Sequence, residues 1–369
     1  MIKDIYNFWN IDDSYAVADQ FTGYEDLYDK FDTYTKESYD KDPQGTIENV
    51  FNLYRSRDIV PIDYYTEHGL VTAIREFAST KYNAVQNKTI PLGNNQGQKI
   101  NRFVFTNMMT AEPKGRGSNS LRDRFENDNK LRRAIRICFE FRDGNRLVYP
   151  TAVRRALELV TGENIQNFKP QNARAIVEHL CPVMWGRVYD YSAGYGGRLL
   201  GITSSNMRYQ YIGVDPNTET VERLNYLNSI IDNTGTIVQS VSEEYQPEDI
   251  DCAFSSPPYF NLEKYSDEET QCMVRYQTLD DWFGGYVEPT ISNIFRGLNR
   301  EGLFATNIAD YKTPKEEFAV CDRWIGLAEK VGFKYQGMIK MMLNTRPGVG
   351  NDKLAGREKY EGVYVFKKV

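Results

Sequence analysis

The sequence predicts an α/β protein. A Rossmann-like doubly wound sheet of seven strands is expected over residues 156–369, preceded by a mixed or mainly helical region over 1–155. Three observations carry this. From Arg187 onward, β-prone apolar runs alternate with segments of helical spacing, the rhythm of parallel strands joined by crossover helices. The last two strand-like runs have no helix between them, which suits an antiparallel hairpin at a sheet edge. The opening region of the chain lacks this rhythm.

The elements follow in order. RVYDYSA, from Arg187, reads as a buried strand, then comes a glycine-rich loop, and RLLGITSS opens a helix. YQYIGVD is the second strand, ending at Asp215. TETVERLNYLNSII has Val221, Leu224, Leu227 and Ile230 on one face of a helix. GTIVQSV and IDCAFSS are the third and fourth strands. LDDWFGGYVEPTISNIFRGL reads as a helix broken near Gly284 and Gly285, and GLFATNIAD as the fifth strand. EEFAVCDRWIGLAEKVG is a helix stopped by Gly332, and KYQGMIKMML and YEGVYVFKK close the chain as the hairpin. Upstream, TIENVFNLYRSRDIV and EHGLVTAIREFAST have helical patterns. SLRDRFENDNKLRRAIRICFEF reads as a basic helix entering a strand.

Composition narrows the chemistry. Hydrophobic residues make up 41% and charged residues 26% of the 369 positions, ordinary for a globular protein. No apolar run reaches membrane-spanning length, and the start lacks a signal-peptide pattern, so a cytoplasmic protein with no membrane partner is expected. The cysteines, Cys138, Cys181, Cys252, Cys272 and Cys321, never pair as C-x-x-C, and His68 and His179 are the only histidines. That inventory predicts no metal site and leaves little histidine for general-base work. The net charge is -6, but it is unevenly spread. The stretch 1–50 is acidic, whereas Lys99 to Arg155 is rich in cations, among them Lys114, Arg116, Arg122, Arg124, Arg132, Arg133 and Arg136. A local excess of this kind can neutralise phosphates; the plainer alternative is a solvated helix face.

Three constellations carry chemistry. In YDYSAGYGGRLLG a strand delivers Asp190, and Ser192, Ala193, Gly194, Gly196 and Gly197 form a turn into a helix, where glycines let a ligand approach backbone N–H groups. Asp215 ends the next strand, about 20 residues on, where a doubly wound fold places an acid against a ribose diol. Ser256-Pro257-Pro258-Tyr259 ends the fourth strand. Proline cannot continue a sheet ladder, so the strand must stop here on a rigid edge. Ligands of open α/β sheets bind at the carboxyl ends of the strands, so all three should face one crevice.

Together these motifs resemble those of S-adenosylmethionine-dependent DNA amino-methyltransferases, whose fourth strand ends in Asp, Asn or Ser, then Pro-Pro, then an aromatic residue. The resemblance covers residues 167–369. It implies S-adenosyl-L-methionine as cofactor and DNA as partner, either single-stranded or duplex with a flipped base. It places Phe168, Lys169 and Pro170 of NFKPQNARAIVEHL at the methionine end of the cofactor. It assigns Asp190, Ser192, Ala193, Gly194, Gly196, Gly197 and Asp215 to cofactor binding. The family's acid after the third strand has no clear counterpart; Ser240, or Glu243 at a stretch, is offered there. Ser256 and the Pro257 carbonyl would accept from the target amine, Ser256 also bordering the cofactor, and Tyr259 would stack on the base. Phe260, Asn261 and Tyr265 are second contacts or packing residues. The serine form is most similar to N4-cytosine enzymes. N6-adenine, RNA, a protein glutamine and a non-catalytic nucleic-acid binder are the alternatives. Cytosine C5 chemistry needs a thiolate beside a proline, and no Pro-Cys occurs. Recognition of the nucleic acid is expected in the N-terminal region and in the loop from Asn344 to Lys359, which includes Arg346.

Overall fold

In the computed structural model, which describes residues 24–62, 67–92, 95–113, 119–142, 144, 146–161, 164–231, 235–312, 316–343 and 359–369, the alternation from Arg187 becomes one sheet. In chain order the strands are β1 (Thr89–Ile90), β2 (Arg187–Asp190), β3 (Gln210–Asp215), β4 (Gly235–Gln239), β5 (Ile250–Ser255), β6 (Leu298–Ile308), β7 (Tyr311–Lys312), β8 (Glu317–Phe318), β9 (Phe333–Met342) and β10 (Tyr360–Lys368). Eight of them form a sheet in the order β1-β9-β10-β6-β5-β2-β3-β4, and β7 and β8 form a small separate pair. Within the eight-stranded sheet only β10 runs antiparallel to its neighbours, β6 and β9. The Rossmann-like doubly wound sheet with a terminal hairpin is therefore the observed fold. The short edge strand β1 is an addition, paired parallel to β9 through Thr89 and Ile90.

Contacts divide the chain into two compact units, one from 1–72 with 109–165, the other from 73–108 with 166–369. This differs from a boundary at residue 155 in two ways. The helix Pro150–Thr161 runs unbroken across that position. Residues 73–108 belong with the sheet, and polar groups within them are bonded there. Asn107 Nδ2 donates to Thr220 Oγ1 (2.9 Å) and the Val104 carbonyl accepts from Arg223 Nη1 (2.8 Å).

The first unit is helical among its described residues. Helix starts are set by side-chain caps: Asp42 precedes Pro43 at the first turn of Pro43–Ser56, and Asn127 caps Asp128–Glu140. Asn127 also divides the expected single basic helix into Leu121–Glu126 and Asp128–Glu140, and no strand follows. Leu131, Ala134, Ile135, Cys138 and Phe139 are buried at helical spacing against Val50, Tyr54, Val153 and Leu157.

In the second unit the two sheet faces alternate residue by residue. Tyr189, Tyr191, Ile212 and Val214 join a core with Trp282, Ile291, Ile294 and Trp324 on one face. Asp190 and Tyr211, on the other, meet Arg198 of the helix Gly197–Thr203. The helical run expected to break at Gly284–Gly285 instead widens into a π-turn over Phe283–Val287. A Cβ on Gly285 would stand 2.3 Å from the Tyr276 ring, whose hydroxyl donates to the Gly285 carbonyl (2.9 Å). Close approach of that ring is what the glycine permits.

Candidate active site

The sheet order reverses between β2 and β5, which pair directly through Val188–Cys252 and Tyr189–Ala253. The carboxyl ends of these strands open on a cavity of about 290 Å³. Its wall includes Phe168, Lys169, Ser192, Gly194, Tyr195, Arg198, Asp215, Ser256, Pro257, Pro258 and Tyr259. The glycine turn, the acid of β3 and the Ser-Pro-Pro-Tyr edge thus share one cavity, as their positions at strand ends predict.

The turn is built for close approach. Gly194 and Gly196 have φ of 56° and 68°. A Cβ on Gly196 would lie 2.6 Å from the Phe105 ring, and one on Gly197 would lie 2.1 Å from the Phe168 carbonyl oxygen. Between them the Tyr195 carbonyl accepts from Asn101 Nδ2 (3.0 Å) and Asn167 Nδ2 (2.7 Å). Gly196, Gly197, Ala193 and Pro170 are absent from the cavity wall. The two glycines let the segments carrying Phe105 and Phe168 close on the turn, and Ala193 N–H donates to the Val214 carbonyl (2.8 Å). Phe168 stands edge-on to Phe254 (5.5 Å, 74°) and beneath the Arg198 guanidinium (5.6 Å). Burial pulls the Lys169 ammonium below its ordinary value.

Asp190 also differs from its expected place. It is fully buried and takes no part in the cavity wall. Its carboxylate accepts from Arg198 Nε (2.8 Å), the Tyr211 hydroxyl (2.8 Å) and Ser255 Oγ (2.7 Å). A strand-end carboxylate so fully engaged is a tie between β2, β3, β5 and the following helix rather than a ligand contact. Arg198, which the sequence reading passed over, lines the cavity in its place.

Asp215 does line the cavity. Its Oδ2 accepts from Gly194 N–H (2.8 Å) and its Oδ1 from Asn217 N–H (3.0 Å), so the turn and the acid form one bonded unit. Burial, which outweighs these bonds, raises its pKa from 3.8 to about 6. At the end of β4 the wall is Val241, Ser242 and Glu243; Ser240 is not part of it, and its hydroxyl donates to the Val241 carbonyl (3.2 Å). Glu243 is raised by burial and accepts from the Tyr276 hydroxyl (2.6 Å) and Arg275 (3.2 Å).

The Ser-Pro-Pro-Tyr edge is held from behind. Tyr259 meets Tyr311 edge-on (5.1 Å, 76°), and Tyr311 stacks on Phe318 (4.8 Å, 14°). Ser256 Oγ reaches the Asn307 side-chain and backbone oxygens at 3.4 and 3.5 Å, and Asn307 Nδ2 donates to the Gly362 carbonyl (2.9 Å). Phe260 is buried in the core against Phe318, and Asn261 accepts from the Tyr311 hydroxyl (3.3 Å); neither lines the cavity. Tyr265 does, donating to Glu263 and standing edge-on to Tyr195. Glu263 and Glu361, both raised by burial, complete this end of the wall.

The basic stretch resolves unevenly. Arg124 is 1% exposed and donates to the Asn164 side chain (2.8 Å) and the Asn119 carbonyl (2.9 Å), so it cannot meet a phosphate. Arg132 grips Glu48 through two bonds (2.8 and 3.1 Å) and lies over Phe51 (3.6 Å). Arg122 pairs with Glu126 (2.6 Å). Arg133 and Arg136 are exposed on the helix Asp128–Glu140. Lys114, Arg116, Arg346 and the acidic residues before Tyr24 lie outside the described residues. Among the described residues no cluster of His, Cys, Asp and Glu is arranged to hold a metal, and no helix is long and apolar enough to cross a membrane.

No family model matches the chain, and no curated protein matches it. Among solved structures it is similar to TrmN from Thermus thermophilus (14% identity, TM-score 0.36, 54% of this chain and 49% of that one). It is also similar to an S-adenosylmethionine-dependent O-methyltransferase from Thermotoga maritima (15% identity, TM-score 0.35, 57% of this chain and 70% of that one). A third is the [4+2]-cyclase SpnF (11% identity, TM-score 0.38, 54% of this chain and 81% of that one). With TM-scores below 0.5, these likenesses add nothing to what the strand order itself gives.

Proposed function

We propose that this protein transfers the methyl group of S-adenosyl-L-methionine to the exocyclic amine of a base in nucleic acid, N4 of cytosine in DNA first. The supporting observation is the presence of Ser256-Pro257-Pro258-Tyr259 in the same cavity wall as Gly194 and Asp215. The residues fit the cofactor. Gly194 leaves the turn open, Asp215 keeps carboxylate lone pairs for a ribose diol, and Phe168 and Lys169 border the methionine side. When bound, the cofactor supplies an electrophilic sulfonium methyl.

The chain's own residues do the rest. The amine of cytosine is a poor nucleophile because its lone pair is shared with the ring. Ser256 Oγ and the Pro257 carbonyl accept from its N–H groups and favour a pyramidal nitrogen. Ser256 Oγ can donate to the Asn307 oxygens at 3.4 and 3.5 Å, which leaves its lone pairs to accept. The two prolines fix φ and hold both acceptors still. Tyr259, braced by Tyr311, offers its ring to the base. The methylated amine is cationic and acidic enough to pass its proton to water without a strong base, which suits a wall without histidine. Positioning and fixed dipoles carry the acceleration. A base within a duplex must flip to reach this edge.

The deciding experiment is a nucleoside digest of DNA after incubation with methyl-labelled cofactor. Label in N4-methylcytosine is the expected result; label only in N6-methyladenine, or only in RNA, sinks the cytosine assignment.

Asp215 yields a pH prediction. Ribose hydroxyls need the carboxylate, so cofactor affinity is expected to be full above about pH 7 and to fall as pH drops through about 6. Folding leans the other way, because between 3.8 and about 6 the folded state holds a proton that the unfolded chain has released. The contribution of this group to stability is greatest below 3.8 and declines as pH rises through about 6. Asp215→Asn is expected to weaken binding about 10-fold and to flatten the pH dependence. Calorimetric titrations between pH 5 and 8 check both, and unaltered affinity removes the ribose role.

Of the seven cations named in the basic stretch, Arg133 and Arg136 are the described ones that stay exposed. Replacing both by Gln is expected to reduce the slope of log affinity against log salt by about 2. An unchanged slope shows that this helix does not touch the nucleic acid.

A further inference from the structure

We propose that Gln271 reads the adenine ring of the cofactor, its amide N–H donating to a ring nitrogen and its amide oxygen accepting from the 6-amino group. This rests on the cofactor reading above and adds to it the group that recognises the base.

The starting observation is an orphan. Gln271 lines the cavity and is 6% exposed, and its Nε2 is buried with no hydrogen-bond partner. Buried amide donors are almost always paired, and one left over in a cavity wall points to an acceptor carried by the ligand. Its main chain is already satisfied. Gln271 N–H donates to the Glu268 carbonyl (3.0 Å), and its own carbonyl accepts from Val274 and Arg275 (both 2.9 Å).

The second observation is where the segment is tied. Before Gln271, the Glu268 carboxylate accepts from Thr218 N–H (3.2 and 3.3 Å), at the start of the helix that follows Asp215. After it, Arg275 pairs with Glu243 and Glu244, just beyond β4. Gln271 therefore sits across the carboxyl ends of β3 and β4. The order β2-β3-β4 leads away from the glycine turn. A nucleoside whose ribose reaches Asp215 has its base on the outward side, against Val241, Ser242 and Gln271.

The third observation is that the acids nearby are spent. Glu243 is engaged by Arg275 and Tyr276, and Ser240 stands outside the wall. An amide matches the adjacent donor and acceptor of an adenine edge in a bidentate pair, which a carboxylate cannot do.

The test is binding, measured by calorimetry on the full chain, of S-adenosylhomocysteine and of its purine analogue, which lacks the 6-amino group. Purine carries hydrogen where adenine has its 6-amino donor and keeps the ring nitrogens as acceptors, so a Gln amide loses one of its two bonds however it is turned. The unsubstituted protein is expected to favour the adenine form about tenfold or more. Gln271→Met, of similar volume, is expected to bind the adenine form about tenfold more weakly and to lose most of the preference. Its melting temperature without ligand is expected to be no lower, since a buried unpaired donor has been removed. Gln271→Glu keeps an acceptor and loses the donor, and should lie between the two. Gln271→Met with unaltered affinity and preference overturns the inference and leaves the cofactor reading standing. So does an unsubstituted protein that binds both compounds equally. A protein that binds neither compound brings down the cofactor reading, and the role of Gln271 with it.

Discussion

Tyr259→Ala is expected to lower kcat/KM for methyl transfer about 10- to 100-fold while leaving cofactor affinity unaltered. The size of the effect is set by what the ring does. Stacking on an aromatic side chain contributes about 1–3 kcal/mol per base, and this offsets much of the few kcal/mol spent in unstacking the target. The cofactor side is built separately, from Asp215 and Gly194, which bond to each other. Tyr259→Phe separates ring from hydroxyl. The hydroxyl is buried, its pKa pushed up by desolvation, and the ring alone is asked to stack. The Phe variant is therefore expected to retain most of the activity. Steady-state rates together with a cofactor titration decide the matter, and an Ala variant that turns over like the parent removes the stacking role.

Asp190→Ala is expected to cost about 3–5 kcal/mol of stability, because it leaves the Arg198 guanidinium buried without its anion. Both side chains are almost fully buried, and the carboxylate also receives Tyr211 and Ser255. Chemical denaturation measures the loss as a lower midpoint. The double variant Asp190→Leu with Arg198→Met removes both charges and is expected to recover much of it, since a buried ion pair adds little over well-packed apolar groups. A single variant as stable as the parent shows that the pair is not what holds these strands together.

These two residues show what could be read in the chain and what could not. Tyr259 and Asp215 were legible because each ends a strand, and a doubly wound sheet brings strand ends to one crevice whatever else the chain does. Asp190 ends a strand too. Its neighbours in space, Arg198 and Tyr211, turned it inward, and no spacing rule reports that. The hairpin was visible in the missing crossover helix. The edge strand β1 was not, because two residues carry no periodicity. Arg124 and Arg132 were misread for a simpler reason. A count of cations along a stretch says nothing about which guanidinium folds back, and these two found Asn164 and Glu48. Gln271 and Asn307 belong to the cavity only once distant segments have closed, although Asn307 follows the strand-end rule and could have been found by it.

The glycine turn has a consequence for folding. It looks local in the chain, yet the two donors to its Tyr195 carbonyl come from residues 94 and 28 positions upstream. Contacts of that span form after the loop between them has been closed, at an entropic cost that local turns escape. The candidate site is therefore expected to mature late, when the segment carrying Asn101 and Phe105 docks on the sheet. By the same reasoning it opens early. Release of that segment frees the turn without disturbing the pairing of β2 with β3 and β5, so loss of binding is expected to precede loss of the sheet as the protein is destabilised.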